Sequence, residues 1–251
     1  MIFTKFARNR LCKIDKTAWV CYNVGRNQPR GTDMIKAIIF DLDGTVADTI
    51  SAIREGVNMT MEQFGYPTHT DTDIRRFINH GARELIRQAL PESVSGDPAR
   101  VDEALDVYQG MYDQTYTHTN LCYDGMVEAM CALKEKYALA ILSNKQDRMV
   151  KGLAAQLLPA GTVKIAQGQI EGVPTKPDPT AVWEICRTLG VAPEECAFVG
   201  DSDVDMHTAI NAGCLPVGVS WGYRSEDVLL KAGAKVIVQS PKEFEKIFVK
   251  M

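Results

Sequence analysis

The sequence has no Cys-x-x-Cys pair and no cysteine or histidine spacing of the kind that holds zinc. Its 7 cysteines (Cys12, Cys21, Cys122, Cys131, Cys186, Cys196, Cys214) are scattered and odd in number. They read as buried thiols in a reducing cytoplasm rather than as a disulfide framework. His80, His118 and His207 likewise have no metal spacing. No apolar run approaches the roughly 20 residues needed to cross a bilayer, so no membrane partner is expected. No charge of one sign dominates: the net charge is −4, which leaves no general nucleic-acid footprint. There is no internal repeat and no low-complexity tract. What remains is an ordinary composition, 45% hydrophobic and 24% charged over 251 residues. That excludes a disordered or fibrous chain and permits one or two domains with a sizeable core.

The first 33 residues differ from the rest. They carry Lys5, Arg8, Arg10, Lys13, Lys16, Arg26 and Arg30 against only Asp15 and Asp33. No long apolar stretch accompanies this charge, so it is a poor secretory signal. A transit peptide and a dispensable leader ahead of Met34 both fit. Residues 1–33 are therefore expected to be a basic, poorly ordered extension without a part in the chemistry.

The most informative stretch follows: Ile38-Ile39-Phe40-Asp41-Leu42-Asp43-Gly44-Thr45. An apolar run, the mark of a buried parallel strand, stops at two carboxylates one residue apart. Alternate residues of a strand point the same way, so Asp41 and Asp43 start on one side of the chain. Two anions that close repel, and a hard cation such as Mg2+ relieves them. The pair suggests a Mg-dependent phosphoryl-transfer site with one Asp free to act as nucleophile. The ordinary alternative is an Asp-rich turn after a strand.

The pattern downstream decides between them. Asp48 and Thr49 can cap a helix that carries Ile50, Ile53, Val57, Met61 and Phe64 at spacings of three and four. Further helical patterns run near 72–90 and 98–116, and no convincing strand falls between 48 and 120. From about 121 the chain returns to alternation. Helices are expected near 126–136, 146–158 and 179–189, and after Gly200-Asp201-Ser202 to a Gly213 C-cap. Strands are expected at 138–142, 163–165, 196–199, 215–219 and 235–238. This is the pattern of an α/β, doubly wound parallel sheet, in which ligands sit at the carboxyl ends of strands. Polar residues stand at three such ends: Asp41 and Asp43, Ser143 and Asn144, and Asp201. Lys176 lies in a proline-punctuated loop nearby. Alone, Lys176 would be a surface lysine, Asp201 a loop acid and Ser143 a helix cap; their joint order carries the argument.

Four motifs occur in order: Asp41-Leu42-Asp43-Gly44-Thr45, Ser143-Asn144, Lys176-Pro177 and Gly200-Asp201-Ser202-Asp203-Val204-Asp205. Over residues 35–240 the chain resembles the haloacid dehalogenase-like superfamily of phosphohydrolases. Within it the chain looks most like the phosphoglycolate phosphatases. That likeness rests on Phe77-Ile78-Asn79-His80-Gly81-Ala82-Arg83-Glu84-Leu85-Ile86, on Lys145 after Ser143-Asn144, and on Trp221-Gly222-Tyr223-Arg224. The segment His80-Gly81-Ala82-Arg83 departs from the family's two glycines flanking one residue. The resemblance implies a Rossmann-like core, 34–48 and 121–251, with a small all-helical cap, 49–120, inserted after the first strand. The links between the two fall near 46–50 and 117–124.

The resemblance also implies roles. Asp41 is the nucleophile and Asp43 the general acid and base. Mg2+ is held by Asp41, Asp201 and the backbone carbonyl of Asp43. Ser143 and Asn144 take phosphoryl oxygens, and Lys176 neutralises the nucleophile and the transferring group. Asp205 holds Lys176 or a metal-bound water. Arg83 either reaches a substrate carboxylate from the cap or is an exposed helix arginine. Trp221 and Tyr223 are packing residues beside the site. The expected activity is hydrolysis of a small phosphate monoester, 2-phosphoglycolate first, by a cytoplasmic monomer or homodimer. A nucleotidase or pyrophosphatase is the runner-up. A hexose-phosphate mutase is disfavoured because residues 48–60 hold no histidine, and dehalogenation because Asp43 is present. A non-catalytic member of the fold is disfavoured by the complete motif set.

Overall fold

The computed structural model describes residues 35–248 except Asn120; the basic segment 1–33 lies outside the described residues. The chain opens with β1 (Ala37–Phe40) and the short β2 (Ala47–Asp48), and five helices follow: α1 (Ile50–Gln63), α2 (Asp71–Phe77), α3 (Ala82–Ala89), α4 (Glu92–Ser95) and α5 (Pro98–Thr119). Next come β3 (Leu121–Cys122), α6 (Met126–Leu133), β4 (Ala138–Gln146), α7 (Asp147–Leu157), β5 (Ile165–Gln169) and α8 (Thr180–Leu189). The chain ends through β6 (Cys196–Gly200), α9 (Asp203–Ala212), β7 (Leu215–Val219), α10 (Glu226–Lys231), β8 (Val236–Val238) and α11 (Phe244–Phe248).

Among the described residues these strands form a six-stranded sheet in the order β5-β4-β1-β6-β7-β8. Every pairing in it is parallel. The side chains of β1 alternate between two cores. Ile38 and Phe40 pack with Met126, Met130, Val150, Leu153 and Phe244 on one face. Ala37 and Ile39 pack with Val182, Ile185, Ala209 and Ala212 on the other. Helices therefore cover both faces, which is what an uninterrupted apolar strand requires. Truncating Phe40, wholly buried between β4 and β6, would cost about 3–5 kcal/mol.

The order of strands sets the site. Phe40 pairs with Ile141 of β4 on one side and Val199 of β6 on the other. The residues just beyond these partners are Asp41, Ser143 with Asn144, and Asp201. Three segments distant in sequence thus bring polar residues side by side at the carboxyl end of the sheet. The crevice there lies between the central strands, where ligands of such sheets bind.

The helices between β2 and β3 build a third core. Ile53, Val57 and Met61 of α1 pack against Leu85 and Ile86 of α3 and Val101, Ala104 and Tyr108 of α5. Met149 of α7 and Tyr223 join it from the sheet side. β2 and β3 pair antiparallel, Ala47 with Cys122, so the two strands connecting this helical layer run together.

The helical pattern expected over 72–90 is interrupted. α2 stops at Phe77, and Ile78 is extended. Asn79 takes φ 87° and Gly81 φ 84° before α3 begins at Ala82. The apolar spacing continues across this break, so periodicity could not reveal it. Asn144 Nδ2 donates to Asn79 O at 3.0 Å, so the break delivers a backbone acceptor to the site. Two strands also differ from expectation: β4 runs on to Gln146, and the short strand expected at 163–165 starts and ends later, as β5. Both extend through polar residues that a search for apolar runs passes over. Among the described residues no helix is long and apolar enough to cross a membrane. Cys122, Cys131, Cys186, Cys196 and Cys214 are free thiols.

Candidate active site

Asp41 leaves β1 into a tight turn. Gly44 takes φ 84°, and a Cβ there would stand 2.5 Å from Asp201 Oδ2. The turn is closed by Gly44 N donating to Ala47 O at 2.9 Å. Only glycine combines that left-handed backbone with such close approach. The turn brings Thr45 Oγ1 to Asp201 Oδ1 at 3.2 Å, so the tips of β1 and β6 are cross-braced.

Lys176 is the hub. Its ammonium is buried and lies 2.8 Å from Asp41 Oδ1 and 2.7 Å from Asp205 Oδ1. The contact to Asp205 is a hydrogen bond. The approach to Asp41 is a buried ion pair made by the same ammonium. Burial pulls the Lys176 ammonium down, but Asp205 and Asp41 outweigh it and hold its pKa above the usual lysine range. Burial pushes Asp41 well above the usual carboxylate range, Asp205 adds to this, and Lys176 offsets part of it. Burial and then Asp205 push Asp201 up to about 7, against the stabilising N–H of Tyr223. Three buried carboxylates thus face one ammonium, an arrangement short of positive charge.

Carboxylate oxygens of Asp41, Asp201 and Asp205 lie within 4.8 Å of one another. The donors are all hard carboxylate oxygens. That donor set suits Mg2+ rather than a softer metal. Asp205 is the most committed of the three. Its Oδ1 accepts from Lys176, and its Oδ2 accepts from Ser202 Oγ at 2.6 Å and Ser202 N at 3.1 Å. Ser202 and Asp205 together form the capping box of α9, so the motif that starts this helix also anchors the lysine. Asp201 is seated by Tyr223 N at 2.6 Å.

Asp43 faces elsewhere. Its Oδ1 accepts from Thr49 Oγ1 at 2.6 Å and from Lys145 Nζ at 2.9 Å. Thr49 was expected to cap α1, but its side chain makes no cap bond and serves Asp43 instead. Tyr223 OH lies 3.1 Å from Thr49 Oγ1 and accepts from Thr49 N at 3.0 Å. Tyr223 was read as packing beside the site; it touches Asp201 through its backbone and the Asp43 support through its hydroxyl. Trp221 Nε1 donates to Thr45 O at 3.1 Å.

Ser143 is buried, and its Oγ accepts from Lys145 N at 3.3 Å. Asn144 spends its side-chain amide on structure. Its Oδ1 accepts from Lys176 N at 2.8 Å, and its Nδ2 donates to Lys176 O and Asn79 O, each at 3.0 Å. The side-chain amide thus braces the lysine loop, and of the two expected phosphoryl donors at Asn144, amide or backbone N–H, the backbone is the one not used in this way. Arg83 takes the second of its two expected places in this structure: it is half-exposed on α3 and paired with Asp102 at 2.8 Å, and it is not among the residues lining the cavity between the sheet edge and the helical layer. An arginine on an amphipathic helix with an acid across on α5 finds that acid first.

Lys145 is the residue that sequence reasoning left without a role. Its ammonium bridges Asp43 and Tyr112 of α5, with Tyr112 OH at 2.8 Å and the Tyr112 ring 4.7 Å away. Burial lowers it, but Asp43 and Tyr112 overcome that and hold its pKa above the usual lysine range. Its position next to Ser143-Asn144 was the available signal.

Residues 38–219 match the model of the haloacid dehalogenase-like hydrolase family. The chain belongs to that family. It is 31% identical over 192 residues to the phosphoglycolate phosphatase of Pseudomonas syringae pv. tomato, a match covering 75% of this chain and 70% of the relative. It is 27% identical over 216 residues to phosphoglycolate phosphatase 1 of Pseudomonas aeruginosa, covering 84% and 79%. A Lactobacillus delbrueckii subsp. bulgaricus structure, provisionally named a phosphoglycolate phosphatase, superposes with a TM-score of 0.80 and 31% identity over 86% of this chain and 98% of that one. The haloacid dehalogenase-like chain is accordingly an enzyme, a hydrolase of the family's phosphatase branch.

Proposed function

We propose that the chain hydrolyses 2-phosphoglycolate to glycolate and phosphate in two steps through Asp41, with Mg2+ as cofactor. The observation that carries this reading is the buried carboxylate cluster of Asp41, Asp201 and Asp205, with Asp41 ion-paired to the Lys176 ammonium at 2.8 Å. In the first step a carboxylate oxygen of Asp41 forms a bond to phosphorus as the ester oxygen leaves. Asp43 gives that oxygen its proton. In the second step Asp43 takes a proton from the water that attacks the same phosphorus, and the Asp41 carboxylate departs unchanged. Lys176 neutralises the phosphoryl oxygens throughout, while Asp205 fixes its direction. Ser143 Oγ and the backbone at Asn144 orient the phosphoryl group. Mg2+ would be held by Asp41, Asp201 and the Asp43 carbonyl, and when bound it supplies the positive charge that the site lacks.

The names of the relatives support a small substrate: proteins about 30% identical are named phosphoglycolate phosphatase.

The test is a phosphate-release screen of the purified protein over 2-phosphoglycolate, nucleoside monophosphates, sugar phosphates and pyrophosphate, with and without Mg2+. Mg-dependent turnover of 2-phosphoglycolate is expected, together with a loss of about a thousandfold or more in Asp41→Asn. Turnover that survives Asp41→Asn would refute the mechanism. A preference for pyrophosphate or nucleotides would replace the substrate.

A further inference from the structure

We propose that Lys145 is the specificity residue of this site and recognises a carboxylate on the leaving group, a deepening that rests on the phosphatase reading above. The cavity is lined by two cationic side chains among the described residues, Lys176 and Lys145. Lys176 is committed to Asp41 and Asp205 at the phosphoryl end. The wall of the cavity is largely apolar, with Ile53, Ile78, Leu85 and Met149 contributing. An anionic leaving group placed against such a wall loses its water and needs a cation in return. Arg83 does not supply it, because it lies outside the cavity on Asp102.

The distances place Lys145 where that group must be. If Asp43 protonates the leaving oxygen, the two are within about 3 Å. Lys145 Nζ is 2.9 Å from Asp43 Oδ1. In 2-phosphoglycolate the carboxylate is one methylene beyond the leaving oxygen, so it falls beside the ammonium. Lys145 brings three donors. Asp43 and Tyr112 OH take two of them. Tyr112 also covers the ammonium with its ring, which keeps the side chain over the cavity. Because Tyr112 belongs to α5 and Lys145 to β4, the carboxylate would be read where the helical layer meets the sheet.

The experiment compares kcat/KM for 2-phosphoglycolate with kcat/KM for 2-hydroxyethyl phosphate, which replaces the carboxylate by a neutral alcohol. Wild type is expected to prefer the acid. In Lys145→Gln the ratio is expected to fall by about tenfold or more, and Lys145→Arg is expected to restore part of it. Loss of turnover in equal proportion on both esters would mean that Lys145 acts only through Asp43, and overturns the assignment. A ratio that survives Lys145→Gln but falls in Arg83→Gln overturns it in favour of Arg83. The wild-type comparison needs no variant to fold: turnover of both esters without preference removes Lys145 as a carboxylate reader and leaves the phosphatase reading standing. Turnover of neither ester, nor of any other phosphate ester, removes that reading and this one with it.

Discussion

Lys176 donates from Nζ to Asp205 Oδ1 at 2.7 Å, both side chains being buried at the sheet edge. Asp205 in turn is held by Ser202, the residue that starts α9. The direction of the ammonium is therefore set by a helix cap rather than by contact with substrate. Asp205→Asn keeps the size but weakens the hold on Lys176. It is expected to lower kcat by about 10–100-fold with a smaller change in KM, as is usual when the partner of a site residue is lost. Steady-state kinetics on 2-phosphoglycolate check this; an unchanged kcat would show that Lys176 is positioned by Asp41 alone.

Gly222 is required by space. A Cβ there would stand 2.2 Å from Asp201 Cβ and 2.6 Å from its Oδ2. Neither atom is the free end of a flexible chain, since Asp201 is wholly buried and bound by Tyr223 N and Thr45 Oγ1. Gly222→Ala is expected to cost about 1–3 kcal/mol of stability through overpacking and to raise the Mg2+ concentration needed for half-maximal activity. Chemical denaturation and a Mg2+ titration measure the two effects separately.

Tyr223→Phe removes one hydroxyl and leaves the fold's apolar contacts in place. Thr49 N then loses its acceptor in a fully buried position, at a cost of about 1–3 kcal/mol. Thr49 Oγ1 also loses a neighbour while still serving Asp43. A several-fold fall in kcat is expected alongside the lower denaturation midpoint. A stability loss with kcat intact would assign Tyr223 to packing alone.

The four motifs were legible because each one is local: a strand, its polar tip and a turn fall within a few residues. Side-by-side placement was legible only through the rule that parallel strands end at one edge, since no residue of β1 names β4 and β6 as its neighbours. What escaped sequence reasoning depends on contacts between distant segments. Lys145 meets Tyr112 across 33 positions, and Tyr223 meets Thr49 across 174. Asn79 hides inside an apolar rhythm that continues across its left-handed turn. The two readings of Arg83 stayed open because spacing gives a residue's face but not its partner, here Asp102 on α5.

The coupling between Mg2+ and pH follows from Asp201. In the metal-free fold its pKa is raised from 3.8 to about 7, first by burial and then by Asp205. Across that window the folded chain keeps a proton that the unfolded chain has released. Stability from this group therefore falls as pH rises from about 4 to about 7 and is level above that. Mg2+ binds the ionised form and must displace the proton below pH 7, whereas above it the carboxylate is already bare. Ligand binding to the folded state raises stability according to free ligand over Kd, so the gain follows the available anion. The increase in Tm on adding a fixed Mg2+ concentration is expected to be larger at pH 8 than at pH 6, and the difference to shrink in Asp201→Asn. Differential scanning calorimetry of the metal-stripped and Mg-loaded protein at the two pH values decides it: equal increments in the wild type would mean that no proton leaves Asp201 when the cation arrives.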